Sequence, residues 1–379
     1  RSRSADFERR REAASQQGLL YGQRDSKELG STLTIMSSLF STFAILCICG
    51  QAFAHPVPDN PQWLTYPGSN DGPGKGKHIV LIAADQEYRS EQSMPMMAKI
   101  LSTHHGFNCS VLFGVNDKGE VDPTMPVYPK KGKEADFKPH NIPGLEHLAS
   151  ADLVVFFARL LTLPMEQQER IVAYIDSGKP MIALRTANHG FRGALPYKIN
   201  GKKVNFGKDV LGGSFMGHHG NWHRDSTRGT IVSEQKNHPI LAGVRDIWGP
   251  SDVYRTYKEG TSLPADCTAL VWGQPLVGRS YDDAPNLKKE PLPVAWLKTW
   301  KTSRGKDARV FHSTMGSGKD LQSAGLRRLI INAAYWGMRM ENAISSETSV
   351  DVVGTYKPLE SGFNYEKFGI VPRMPAEYR

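Results

Sequence analysis

Cysteine is scarce in this chain: four among 379 residues, two of which, Cys47 and Cys49, share one apolar stretch near the start. The others, Cys109 and Cys267, belong to no Cys-x-x-Cys pair, which excludes a dithiol redox centre and a zinc ribbon. Cys109 falls in a predicted core strand, so two buried thiols are expected, with one disulfide as the alternative. Gly-x-Ser-x-Gly and Gly-x-Cys-x-Gly are both absent. Covalent catalysis from a strand-to-helix elbow is therefore disfavoured. His-Glu-x-x-His is missing, and no glycine loop is completed by Lys-Ser or Lys-Thr at the required spacing, which removes zincin and P-loop chemistry. Basic blocks are lacking too, apart from Arg9-Arg10-Arg11. Lys plus Arg number 47 against 38 Asp plus Glu, a net charge of +9, but the charges are scattered, which reads as solubility and not as a nucleic-acid partner.

Only one long apolar run is present, from Leu39 to Cys49, followed by Ala52-Phe53-Ala54. Its core of about a dozen residues is too short for a permanent span and ends on the small-x-small pattern of a signal-peptidase site. The expectation is a leader over 1–54, cleavage after Ala54 and export to the periplasm or the extracellular space, with no stable membrane span afterwards. Residues 55–76, rich in Pro, Gly and Asn, read as an N-terminal arm, 77–345 as one α/β domain and 346–379 as an extended tail.

What the chain does have is a strand, helix, strand rhythm. Strands are expected at His78–Ala84, Cys109–Phe113, Asp152–Ala158 and Met181–Leu184, separated by helices over Ser90–His105, Ile142–Leu148 and Met165–Ser177. Later strands are read at Thr230–Val232 and Ala269–Trp272, an antiparallel pair at Pro293–Lys298 and Arg309–Thr314, and a last helix from Ser323 to Met338. This spacing predicts an α/β fold with a doubly wound, mostly parallel sheet and helices on both faces.

In such sheets ligands gather beyond the carboxyl ends of the strands. Lys179 to Gly190 is the organising stretch. Its apolar run Met181–Leu184 opens into Arg185-Thr186-Ala187-Asn188-His189, offering a fixed positive fork, a bidentate amide and a proton carrier. A second cluster, His218, His219 and His223 with Trp222, lies in a Gly-rich loop that can pass close to a ligand. His189 and His219 are the candidate proton carriers, assisted by Asp252 and Tyr254. Arg185, Asn188, His218, Trp222, His223 and Glu87 are candidate binding residues, with Thr314 and Gly316 offering backbone donors after a late strand. His218, His219 and His223 are also the candidate ligands for a divalent metal; the glycines around them argue against a helical pair.

These residues resemble the ThuA-like (trehalose-utilisation) family, which has a flavodoxin-like, class I glutamine-amidotransferase-like fold. The resemblance spans about residues 77–340 and rests on Leu184–His189, Gly217-His218-His219-Gly220, Asn237-His238-Pro239-Ile240, Asp252-Val253-Tyr254, Pro293–Trp296, Arg309–Gly316 and Gly325–Trp336. It implies a sugar-related role but fixes no reaction. The amidotransferase cysteine is missing at the elbow, so amide hydrolysis is not carried over. Three readings follow: an exported enzyme acting on a sugar or oxidised sugar by histidine acid-base chemistry, a non-catalytic carbohydrate-binding protein, or a metal-dependent hydrolase. The expected partner is a small carbohydrate; a homo-oligomer is compatible with the sequence.

Overall fold

The computed structural model describes residues 62–257 and 263–379. The expected leader and cleavage site lie outside the described residues. Among those described, no helix is long and apolar enough to cross a membrane.

The strands are β1 (Trp63–Tyr66), β2 (His78–Ala84), β3 (Asn108–Phe113), β4 (Leu153–Ala158), β5 (Met181–Leu184), β6 (Lys198–Ile199), β7 (Lys202–Lys203), β8 (Gly217–His218), β9 (Thr227–Ile231), β10 (Trp248–Gly249), β11 (Tyr254–Arg255), β12 (Cys267–Pro275), β13 (Leu292–Lys301) and β14 (Asp307–Ser313). The helices are α1 (Ser90–Thr103), α2 (Met165–Ile175) and α3 (Ala324–Gly337). One ten-stranded sheet runs in the order β1-β3-β2-β4-β5-β14-β13-β12-β9-β10. Its core is parallel from β3 through β2, β4 and β5 to β14. Beyond β14 it continues antiparallel, beginning with the β13–β14 hairpin that the sequence predicts.

The parallel strands are apolar on both faces, as a sheet covered on both sides requires. Ile79, Leu81 and Ala83 pack with Met94 and Met97 of α1 and Leu326 and Ile330 of α3. Val80, Ile82 and Ala84 point the other way, into a cluster with Ile171 and Ile175 of α2 and with Leu145 and Leu148. Alternation along β2 therefore feeds two cores.

Two local expectations are corrected, the arm and the helix over Ile142–Leu148. The arm is not featureless, because Trp63–Tyr66 adds an antiparallel edge strand to β3. Residues 142–148 do not make an α-helix; a 3₁₀ turn covers Leu145–Ala149. Cys109 and Cys267 are free thiols, the first buried and the second half-buried. The tail lies against the domain: Gly362 N–H donates to the Glu87 carbonyl (2.9 Å), and Val121 N–H to that of Arg373 (2.7 Å).

Candidate functional site

The ends of β2, β4, β5 and β14 deliver Glu87, Arg159, the Arg185–His189 turn and Thr314 to one edge of the sheet. Facing them is the small ladder of β8 and β11, in which His218 pairs with Tyr254. The two groups meet around Arg185.

Arg185 follows β5 with a φ of 47°, a conformation that non-glycine residues seldom adopt. The turn drives its side chain inward, where it is fully buried. One terminal nitrogen donates to the carbonyls of Asp252 (2.7 Å) and Thr314 (2.8 Å), and the other to Asp252 Oδ1 (2.9 Å) and the Tyr88 hydroxyl (3.2 Å). The guanidinium lies 3.6 Å from the Tyr254 ring centroid and 4.5 Å from that of Tyr88. Every donor but Nε is occupied, so Arg185 organises the site from below and does not reach a ligand. Tyr254 is its cover, 2% exposed, and burial pushes its phenol well above the usual range.

Asp252 is the pivot. Its second oxygen accepts from His218 Nδ1 at 2.8 Å. Burial alone would raise its pKa, but the hydrogen bond from His218 and the Arg185 charge hold the carboxyl below its ordinary value. The carboxylate is therefore ionised at neutral pH and accepts the proton that His218 carries on Nδ1. His218 Nε2 has no protein partner among the described residues, and the side chain is 33% exposed.

His189 is also held by one nitrogen. Its Nδ1 donates to Asn188 Oδ1 at 2.8 Å, and the ring lies 4.7 Å from Phe215, which in turn stands 5.2 Å from His218. Burial, with Arg159, Arg185 and His218 nearby, lowers its pKa to about 3. At neutral pH it is an uncharged acceptor. The proton-carrier role anticipated for it is poorly served, since a base that weak takes up little proton near pH 7.

His219 is not in this group. It follows the end of β8, and its Nε2 donates to the Glu290 carbonyl at 2.8 Å, away from Asp252. His223 also turns away, lying nearly parallel to Tyr88 with its Nε2 3.6 Å from Glu87 Oε1. The three histidines considered as metal ligands thus diverge to three different partners. Among the described residues no group of three or more His, Cys, Asp or Glu is placed to share an ion.

Glu87 is buried and anchors the rim. Its Oε1 accepts from the Trp222 indole (2.8 Å) and its Oε2 lies 3.2 Å from Arg159 Nε. Burial opposes its ionisation, yet the nearby His223 ring, the Arg159 charge and the Trp222 hydrogen bond bring its pKa below the ordinary value. Trp222 is held upright and stays 43% exposed, its ring 5.9 Å from that of His218.

Thr314 and Gly316 do not offer their donors to a ligand. Thr314 is buried and its N–H is spent on the Val294 carbonyl, while Asp320 Oδ2 accepts from both Gly316 N–H and Ser317 N–H at 3.0 Å. Gly220 approaches Asp252 and not open space: a Cβ there would stand 2.7 Å from Asp252 Cβ. Gly220→Ala is expected to destabilise the fold by about 1–3 kcal/mol through this overpacking, read from urea unfolding; an unchanged midpoint would show that the β8–β11 loop yields.

Sequence reasoning passed over Arg159, Tyr88 and Phe215. Arg159 was findable by the rule that singled out Arg185, since it is the first polar residue past a parallel strand.

The family model described as trehalose utilisation, ThuA, matches residues 127–337. A ThuA-like protein from Bacteroides uniformis aligns with a TM-score of 0.43 and 14% identity, over 74% of this chain and 95% of its own. One from Parabacteroides merdae gives 0.41 and 15%, over 80% and 99%. A cold-adapted β-galactosidase from Rahnella sp. R3 gives 0.28 and 10%, over 70% and 32%. No curated protein matches the chain.

Proposed function

The chain belongs to the ThuA family, described as trehalose utilisation, and from that premise we propose that it binds a sugar at the rim formed by Trp222, His218 and His189 and moves a proton on it through His218. One observation carries this reading. A buried Arg185–Asp252 pair holds His218 by Nδ1 and leaves Nε2 accessible beside an exposed indole.

Asp252 fixes the tautomer of His218, so that Nε2 carries the lone pair and takes a proton from a sugar hydroxyl or an acidified carbon. The imidazolium that forms is stabilised by the ionised carboxylate, and Arg185 keeps that carboxylate from claiming the proton. Trp222 offers a flat apolar face for a sugar ring. His189 Nε2, neutral, accepts a hydroxyl hydrogen and orients the ring, with Asn188 fixing the imidazole. This assignment replaces the earlier pairing of His189 and His219 as proton carriers. The apolar stretch before Ala52-Phe53-Ala54 supports export, and with it a sugar met outside the cytoplasm.

The test is turnover and sugar affinity side by side. His218→Gln is expected to cut kcat by about a hundredfold or more, with the dissociation constant of the sugar changed less than threefold. Asp252→Asn should lower kcat in the same sense, because an amide can present the wrong hydrogen-bonding group to Nδ1. Full turnover in His218→Gln would overturn the mechanism. Sugar affinity without turnover in the wild type would make this a carbohydrate-binding protein using the same rim.

A further inference from the structure

Trp222 also lines a second depression. A groove of about 410 Å³ lies between the loop that carries Trp222 and His223 and the tail residues Glu360 to Phe368. Its floor is aromatic: Trp222 and Phe363 are 43% and 42% exposed, with ring centroids 6.1 Å apart and planes inclined by 41°. Neither ring is loose. The Glu87 carboxylate holds the indole, and the Arg159 guanidinium lies 4.9 Å from the Phe363 centroid.

The walls are cationic. The single carboxylate of Glu360 is shared by Arg279 (3.1 Å) and Lys319, so that corner carries excess positive charge. Arg279 Nε is shielded from solvent and has no hydrogen-bond partner, and Lys367 brings a further ammonium to the mouth. Two exposed rings flanked by the cationic side chains of Arg279 and Lys367 suit a ligand with an apolar ring face and a negative edge.

We infer that this groove is a second sugar subsite, continuous with the His218 rim through Trp222, and that it takes a sugar ring bearing a carboxylate, such as a uronate unit. The inference rests on the sugar reading of the His218 rim and extends it, making the tail a determinant of specificity. The tail residues involved lie beyond the stretch 127–337 that the family model matches.

Calorimetric titration of the purified chain with glucose, galactose and mannose, with glucosyl-glucose and with glucuronosyl-glucose tests it. Wild-type protein is expected to bind the acidic disaccharide about tenfold more tightly than the neutral one, as one charge-assisted contact provides, and to lose that preference at high salt. Phe363→Ala should weaken both disaccharides about tenfold while leaving monosaccharides and the melting temperature unchanged. Lys367→Glu should abolish the acidic preference alone. Disaccharides that bind no better than monosaccharides, or equal affinity for acidic and neutral disaccharides, overturn the subsite and leave the His218 reading standing. A wild-type chain that binds none of these sugars overturns that reading, and this one with it.

Discussion

Arg185→Met costs the protein about 3–5 kcal/mol of unfolding free energy, the expected penalty for leaving a buried charge without its partner. The Asp252 carboxylate, 2% exposed, would keep only His218, and the carbonyls of Asp252 and Thr314 would lose the donor they share. Arg185→Lys should recover little, since an ammonium cannot serve two carbonyls, a carboxylate and a phenol in one plane between two rings. Coupling is the diagnostic: Asp252→Asn on top of Arg185→Met should cost less than the two single changes added together, because the stranded charge is gone. Urea unfolding of the four proteins measures this. Strict additivity, or a loss below about 1 kcal/mol for Arg185→Met, which is what an exposed pair gives, would show that the pair is not what organises the site.

The second large effect is acid lability. His105, His140 and His312 are buried, and burial lowers each from the ordinary 6.5 to about 4. Half-buried His78 and His189 are lowered in the same direction, to about 4 and about 3. Between pH 6.5 and about 4 the unfolded chain therefore binds protons that the native chain refuses, and stability falls as the pH drops through that window. Glu91 works against this: burial raises it to about 7, so the native state holds a proton there that the unfolded chain releases. Asp85, also raised by burial, acts in the same sense as Glu91, so the three buried rings prevail by about one to two protons, a slope of about 1–3 kcal/mol per pH unit. The melting temperature should fall steeply from pH 6.5 to 4.5 and acid unfolding should be complete near the lower limit. A melting temperature flat across that range would mean that these rings are solvated in the native state. Asp252 acts only lower down, its depressed pKa contributing stability that is lost below the ordinary carboxylate range.

Periodicity made most of the parallel core legible. Four apolar runs followed by polar turns became β2, β3, β4 and β5, and the turn after β5 is where the structure places Arg185. They are legible because a strand covered on both faces must be continuously apolar, a local property. The edge strand at Trp63 was missed because its partner in β3, Leu112, lies 49 residues away and its own pattern is too short to signal. The same limit applies to Thr314 and Gly316: a glycine loop after a strand reads as a ligand cradle until Asp320 is seen to fill it.

By itself the sequence determined the α/β rhythm, the sheet edge at which polar residues collect and the absence of an elbow nucleophile, since each is written in local spacing and residue type. Tertiary structure alone decided which histidine faces the site. His218 and His219 are adjacent and chemically identical, and the register of β8 against β11 sets His218 opposite Tyr254 and against Asp252, while His219, just past the ladder, goes to Glu290. That register comes from a contact between segments more than thirty residues apart, and no pattern within the loop encodes it.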